Sequence, residues 1–348
     1  MNVPASAIAV RVAAAILCVF GLAVIVKELA PAIRIFPSAA ALALVMQLPL
    51  VVIGFWLFRL LRPVVAPARW WSAAAVVWGM TAAVGCALLA NHGLLAIWAK
   101  TRGISFASNW AAALSAPLDE EVLKVCGVVL IVLAVPLAFR GPIDGLVFGA
   151  LTGLGFEAVE NFIYGLNMIV QSGAADPRAA VTRSAIVRVA VTGPGSHWAM
   201  TAVAGAGIGF LAARGRRGIW PAVGLLLGAM AMHWLFDSPQ PASLVIKVAV
   251  NFIAVAILYL ALRRGYLARA RGVLAADAAA GTVTRDEARS LLSRRSRHGA
   301  LHRAPRGPER DRLSVRQQAL LVHLEESVAG HVLLPPAPLS PAEQDRAA

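Results

Sequence analysis

The stretch Asp144-Gly145-Leu-Val-Phe-Gly149-Ala-Leu-Thr-Gly153-Leu-Gly155-Phe156-Glu157-Ala-Val-Glu160-Asn161-Phe-Ile-Tyr164 decides the fold of this chain. It is apolar over a length that crosses a hydrocarbon core of about 30 Å, yet it carries three acids, Asp144, Glu157 and Glu160. Gly145, Gly149 and Gly153 recur every four residues, a spacing that lines one face of a helix and lets a second backbone come close. Phe156, Glu160 and Tyr164 continue that stripe at helical periodicity, so Glu160 is expected to point into a helical bundle.

Apolar runs of similar length recur on both sides of this stretch. Spans are predicted near 8–27, 36–58, 71–91, 117–139, 143–166, 186–213, 219–236 and 242–262. Hydrophobic residues make up 59% of the chain and charged ones 14%, well under the roughly 25% of a soluble domain, and the mean hydropathy is +0.72. The fold class that follows is all-α, a polytopic transmembrane bundle of about eight spans, occupying residues 1–264, with a polar cytoplasmic tail over 265–348. The net charge of +14 lies in the loops and the tail, where it sets orientation, so no nucleic-acid partner is expected. With the amino terminus inside, Arg59, Arg62, Arg69, Arg140, Arg214, Arg216, Arg217, Arg263, Arg264 and Arg269 face the cytoplasm, and only Lys27, Arg34, Lys100, Arg102, Arg178 and Arg183 face outward. Both termini are therefore expected in the cytoplasm of a multi-pass membrane protein, with the first span retained.

Asn91 to Ala116 is expected to be an interfacial segment anchored by Trp98 and Trp110. Cys18, Cys86 and Cys126 fall inside spans and read as small core residues rather than a disulfide framework. In the tail, Thr284 with Glu287 and Ser314 with Gln317 have capping-box spacing and predict two helix starts. The basic stretch Arg285 to Arg297 fits either a solvated helix or one lying on anionic headgroups. The Pro-rich end, 333–348, is expected to be disordered.

Ionisable side chains inside spans cost roughly 2.5–3.5 kcal/mol each and so require a reason. Here they are Glu120, Glu121 and Lys124, then Glu157 and Glu160, then His197, then His233 with Asp237. Counted from the inner end of each helix at about 1.5 Å per residue, Glu160, His233 and His197 lie roughly 24–25 Å up and Glu120 roughly 30 Å, a common level in the outer leaflet. Thr201, Gly205 and Gly209 share the face of His197. Gly193-Pro194-Gly195 should interrupt the helix just before it, freeing backbone N–H groups as a candidate oxyanion site. Lys124 can snorkel or pair with Glu120 one turn back, and Arg183 and Arg188 can pair with these acids or, as the commoner use, snorkel to the interface.

Carboxylates that take a proton from water, with imidazoles that bind a metal or stabilise an oxyanion, describe water activation rather than a covalent nucleophile. The series Glu120-Glu121-x-x-Lys124, Gly153-x-Gly155-Phe156-x-x-x-Glu160-Asn161, His197 and His233-x-x-x-Asp237 resembles the PrsW family of intramembrane proteases, distantly similar to the CAAX-processing and bacteriocin-immunity peptidases. The resemblance covers about residues 117–240, the expected catalytic core. It implies a peptidase acting on a membrane-anchored protein such as an anti-sigma factor, cut near its extracytoplasmic face. It also implies that Glu120 or Glu121 is the general base, that Glu160 is a second acid, and that His233 with Asp237 occupies the oxyanion position. Asp237 departs from the Asn of the distant relatives, and Glu157 is an additional acid.

The expected function is therefore an intramembrane endopeptidase, glutamic or metallo in type. Its catalytic residues are Glu120, Glu121, Glu160, His197 and His233, supported by Lys124, Asn161 and Asp237. His197, His233 and Glu160 can make a zinc site with an open position, and a metal-free glutamate mechanism fits the same residues. A proton- or ion-coupled transporter and a non-catalytic membrane binding protein are the competing classes.

Overall fold

A computed structural model describes residues 4–135, 139–241 and 243–330, and no strand occurs among them. The Pro-rich end assigned to disorder lies outside the described residues. The helices are α1 (Ala5–Ile35), α2 (Pro37–Leu60), α3 (Arg69–Trp78), α4 (Val84–Arg102), α5 (Ile104–Ala134), α6 (Pro142–Gln171), α7 (Pro177–Ile186), α8 (His197–Arg214), α9 (Ile219–Asp237), α10 (Leu244–Ala279), α11 (Arg285–Leu291), α12 (Arg294–Arg303) and α13 (Pro308–Ala329). A π-turn, Gly79–Ala83, joins α3 to α4 without a break, and a second, Val187–Thr192, extends α7. This is an all-α polytopic bundle.

Among the described residues, six helical runs are long and apolar enough to cross a membrane, where the sequence suggested about eight. Two features account for the difference. α5 has the length, at 31 residues, but carries Asp119, Glu120, Glu121 and Lys124 in its middle. The 61-residue run Pro177–Asp237 is one of the six, although α7, α8 and α9 follow one another within it.

The chain forms two compact units. One comprises Met1–Arg59 with Pro67–Tyr259, and the other Leu60–Ala66 with Leu260–Ala348.

In the first unit α6 is the central helix. Every residue from Ile143 to Ala158 is buried, which only a helix surrounded on all sides achieves. Its glycines set how close the neighbours come. A Cβ on Gly145 would stand 2.1 Å from Gly205 O, on Gly149 2.2 Å from Thr201 O, and on Gly153 2.5 Å from His197 O, so α8 lies backbone to backbone against this stripe. A Cβ on Gly155 would stand 2.1 Å from Val76 O of α3, on another face. By contrast Val19, Ile53, Ile253 and Ile257 are exposed, the pattern of helices solvated by lipid.

Several expectations are corrected. Asn91 to Ala116 is not a separate interfacial segment: α4 continues to Arg102 and α5 begins at Ile104, with Trp98 Nε1 donating to Ser115 Oγ at 3.1 Å. Pro117 thus lies inside α5, and Glu120 and Glu121 are mid-helix residues rather than a first turn. Cys126 is exposed rather than a core residue, and Cys18 and Cys86 are half-buried; all three are free.

In the second unit, Arg62 makes a two-pronged ion pair with Glu325, both bonds 2.6 Å, and Tyr266 donates to the same carboxylate at 2.8 Å. Arg294 donates to Arg62 O at 2.8 Å and Arg297 to Val64 O at 2.7 Å. The short 60–66 segment is thereby tied to the tail helices. Thr284 and Glu287 form the expected capping box at the start of α11. Ser314 caps nothing, because α13 already starts at Pro308, whose fixed φ suits a first helical position. The stretch Arg285 to Arg297 is not one helix: Ser293 ends the first piece and caps α12 through Ser296 N–H.

Glu287 of α11 also bonds Arg316 of α13 at 2.5 Å. Partial burial works to raise its carboxyl, but the Arg316 guanidinium and the Thr284 cap outweigh that and hold it below its ordinary 4.5. A carboxylate lowered on folding stabilises above its unfolded value and ceases to do so as pH falls through the folded one. Protection of the α11 amides, taken relative to their intrinsic exchange rates at each pH, is expected to be greater at about pH 7 than at about pH 3, and Glu287→Gln should show little of this difference.

Candidate active site

The cluster is assembled from four helices, α5, α6, α8 and α9, all in the first unit. On α5, Lys124 Nζ lies 2.6 Å from Glu121 Oε1 and 3.7 Å from Glu120 Oε2, and all three side chains are buried. The Phe156 ring, on α6, faces the same ammonium with its centroid at 4.4 Å. Lys124 therefore pairs with both glutamates and is closer to the second.

Glu121 has no free oxygen. Oε1 also receives His233 Nδ1 at 3.0 Å, and Oε2 accepts from Thr201 Oγ1 at 3.1 Å. Glu120 differs. Oε1 accepts from Asn91 Nδ2 of α4 at 3.0 Å, whereas Oε2, although buried, has no hydrogen-bond partner. That oxygen stands 3.9 Å from His197 Nδ1 and 3.8 Å from His233 Nε2. An orphaned buried oxygen is costly unless something else occupies its lone pairs.

His197 is fixed at both nitrogens. Nδ1 lies 3.0 Å from Lys124 Nζ, and an ammonium can only donate, so Nδ1 accepts. The ring proton then sits on Nε2, which donates to Glu160 Oε2 at 2.7 Å. Glu160 is held in turn by Arg188 of the second π-turn, whose Nε also donates to Asn161 Oδ1 at 2.5 Å. Asn161 Nδ2 reaches Gln47 Oε1 of α2 at 3.2 Å. Arg188 is thus a partner of the acids and not a snorkelling cation.

His233 lies between two carboxylates, with Glu121 on Nδ1 and Asp237 Oδ2 3.3 Å from Nε2. The His197 and His233 rings approach edge to face, with centroids 5.1 Å apart.

Glu120, His197 and His233 offer one ligand atom each within 4.8 Å of one another, so these three side chains can hold a metal ion. Glu160, the carboxylate of the sequence reading, contacts Arg188 and His197. The donor set suits a divalent ion, and the orphaned Glu120 oxygen is what such an ion would satisfy.

A groove of about 330 Å³ opens on this cluster, lined by Ala87, Asn91, Ala112, Glu120, Glu160 and Asp237 among others. The break at Gly193–Gly195 is present as a single 3-10 turn, but none of its residues lines the groove. Both Glu157 oxygens are buried without a hydrogen-bond partner, and Oε1 would lie 3.4 Å from a Cβ on Gly193. Glu157, rather than the groove, is therefore the neighbour of this turn. The turn is pinned by Asn251 of α10, whose Nδ2 donates to Gly195 O at 3.1 Å and to Met232 O at 3.2 Å.

Asn91, Thr201, Lys247 and Asn251 were not identified as site residues from the sequence. Lys247 and Asn251 are polar positions inside an apolar run, the same signal that found Glu160. Lys247 donates to Ser238 O and to Phe236 O at the end of α9, beside Asp237. Asn91→Ala is expected to slow turnover about tenfold, the worth of roughly 1.5 kcal/mol for one hydrogen bond to a charged group, and kcat measured on the purified protein checks this.

A buried set of glutamates, histidines and a lysine, at the base of a groove in an apolar helical bundle, is the arrangement of a membrane-embedded hydrolase. Residues 67–262, more than half the chain, match the PrsW family intramembrane metalloprotease, and the chain belongs to that family. The match runs from just before α3 through the apolar part of α10, beyond the 117–240 over which the resemblance was legible. No curated protein and no solved structure matches the chain. It is thus a membrane peptidase by family.

Proposed function

We propose that the protein hydrolyses a peptide bond of a membrane-anchored substrate with water activated at Glu120. The observation that carries this is the difference between the two adjacent glutamates. Glu121 is saturated by Lys124, His233 and Thr201, while Glu120 lines the groove with one oxygen that has no hydrogen-bond partner. Glu120 therefore meets water, and Glu121 orients Lys124 and His233. His197, its proton directed to Glu160, and His233, between Glu121 and Asp237, are placed to exchange protons with the reacting groups or to oppose charge on the scissile carbonyl oxygen.

If the metal form of the reading holds, Glu120, His197 and His233 bind the ion, for which zinc is the natural choice with this donor set. A bound zinc lowers the pKa of its water and polarises a carbonyl. Lys124 already brings one positive charge to the same donors, so the residues also support a metal-free glutamate form.

The proposed orientation places both termini in the cytoplasm and the groove toward the external face. The resemblance extends the substrate to the anti-sigma-factor type. Comparing membrane proteomes of cells carrying the wild-type chain and Glu160→Gln tests this. One shortened membrane-anchored partner, present only with the wild type, is expected; identical proteomes would contradict the reading. Chelation of the purified enzyme separates its two forms. Loss of cleavage restored by added zinc identifies the metal form, and unchanged cleavage identifies the glutamate form. Ion flux through liposomes without proteolysis would favour a carrier instead.

A further inference from the structure

The second unit contains a cavity of about 410 Å³ that plays no part in the chemistry above. Arg263, Arg271, Arg294 and Arg295 line it together with Leu60 and Leu267, and no acid does. Arg263, Leu267 and Arg271 repeat every four residues and so share one face of α10. Arg294 is engaged with the Arg62 and Val64 carbonyls, whereas Arg263, Arg271 and Arg295 make no ion pair among the described residues. Nearby, burial and then the Arg294 charge push the Arg297 guanidinium below its ordinary value, a mark of positive charge held close together.

Position indicates what would offset that charge. α10 has 36 residues, about 54 Å, against the roughly 20 residues that cross a bilayer. Its apolar part ends at Leu262, so Arg263 stands at headgroup level and Arg271 about two turns beyond it. Leu60, the last residue of the apolar helix α2, lines the same cavity. Arginines collected just past the end of a span attract anionic lipid. Guanidinium groups match phosphate oxygens in geometry as well as charge.

We propose that this cavity binds the phosphate of an anionic phospholipid headgroup. Leu60 and Leu267 contact the first carbons of the lipid, while Arg263, Arg271 and Arg295 hold the phosphate.

Native mass spectrometry of the full chain, transferred from micelles doped with phosphatidylglycerol or with phosphatidylcholine, tests the assignment. Phosphatidylglycerol adducts are expected to survive on the wild type and to fall at least about tenfold in Arg263→Gln/Arg271→Gln/Arg295→Gln. They should persist in the equal-charge control Arg303→Gln/Arg306→Gln/Arg312→Gln, and circular dichroism should show both variants folded. Equal losses in the two triple variants, or equal retention of both lipids, would overturn the proposal. So would inorganic phosphate that binds the wild type and displaces phosphatidylglycerol completely at equal concentration, because the ligand would then be a free anion. If the pocket variant does not fold, Arg295→Gln alone, at an exposed position, should weaken the phosphatidylglycerol adduct relative to Arg303→Gln; equal adducts would count against the site.

Discussion

Glu120→Gln is expected to lower kcat for a membrane-anchored substrate by about 100-fold to 10,000-fold while leaving KM little changed, the usual loss when a positioned acid–base group is removed. The amide is nearly isosteric and can still meet Asn91, so the helices need not move. What disappears is the basic oxygen that faces the groove. Glu121→Gln should also abolish cleavage, but with a second signature. Its carboxylate neutralises Lys124 at 2.6 Å and accepts from both His233 and Thr201, so its loss leaves a buried ammonium with less compensation. Breaking a buried pair in this way costs about 3–5 kcal/mol, and a lower thermal midpoint should accompany the lost activity. Turnover and thermal unfolding, measured on both variants in one detergent, separate the group that reacts from the group that holds.

Gly149→Ala is expected to destabilise the bundle strongly for a single added methyl group. The new Cβ would fall 2.2 Å from Thr201 O and 3.1 Å from Ala202 Cα, both backbone atoms of α8. No side-chain rotation relieves that contact, so α6 and α8 must separate. Overpacking of this kind costs about 1–3 kcal/mol or more. Because Thr201 donates to Glu121, the separation also disturbs the cluster. Gly93→Ala, whose Cβ would meet nothing within 4 Å, is the matched control and should unfold at the wild-type temperature.

Much of this arrangement was legible before the coordinates. The four-residue glycine spacing gave the face of α6 that a second backbone approaches, though not that α8 is the partner, and that face gave the inward direction of Glu160, because helical periodicity is a local property. The break at Gly193-Pro194-Gly195 followed from proline and glycine chemistry alone. Partnerships were less legible. The sequence pointed to Glu160 as the carboxylate ligand, and it could not show that Arg188, brought in by a π-turn, and His197 both engage that carboxylate. Asn91 lies 29 residues from Glu120, and no spacing rule connects them. Helix boundaries also escaped: α5 starts well before Pro117, because a proline inside a packed membrane helix is tolerated where one in water would mark a start. Lys247 and Asn251 were readable as polar groups within an apolar run, but what they hold, the ends of the turn and of α9, depends on tertiary contact.

The central claim is that side chains from separate helices act as one centre on one water molecule. A double-mutant cycle on cleavage tests it most directly, with Glu120→Gln on α5 and His233→Gln on α9. Groups that act as a unit lose their effect together, so the double variant should be no slower than the worse single variant, within about threefold. Losses that multiply in the double variant would mean that the two residues work independently, and the shared centre would be contradicted.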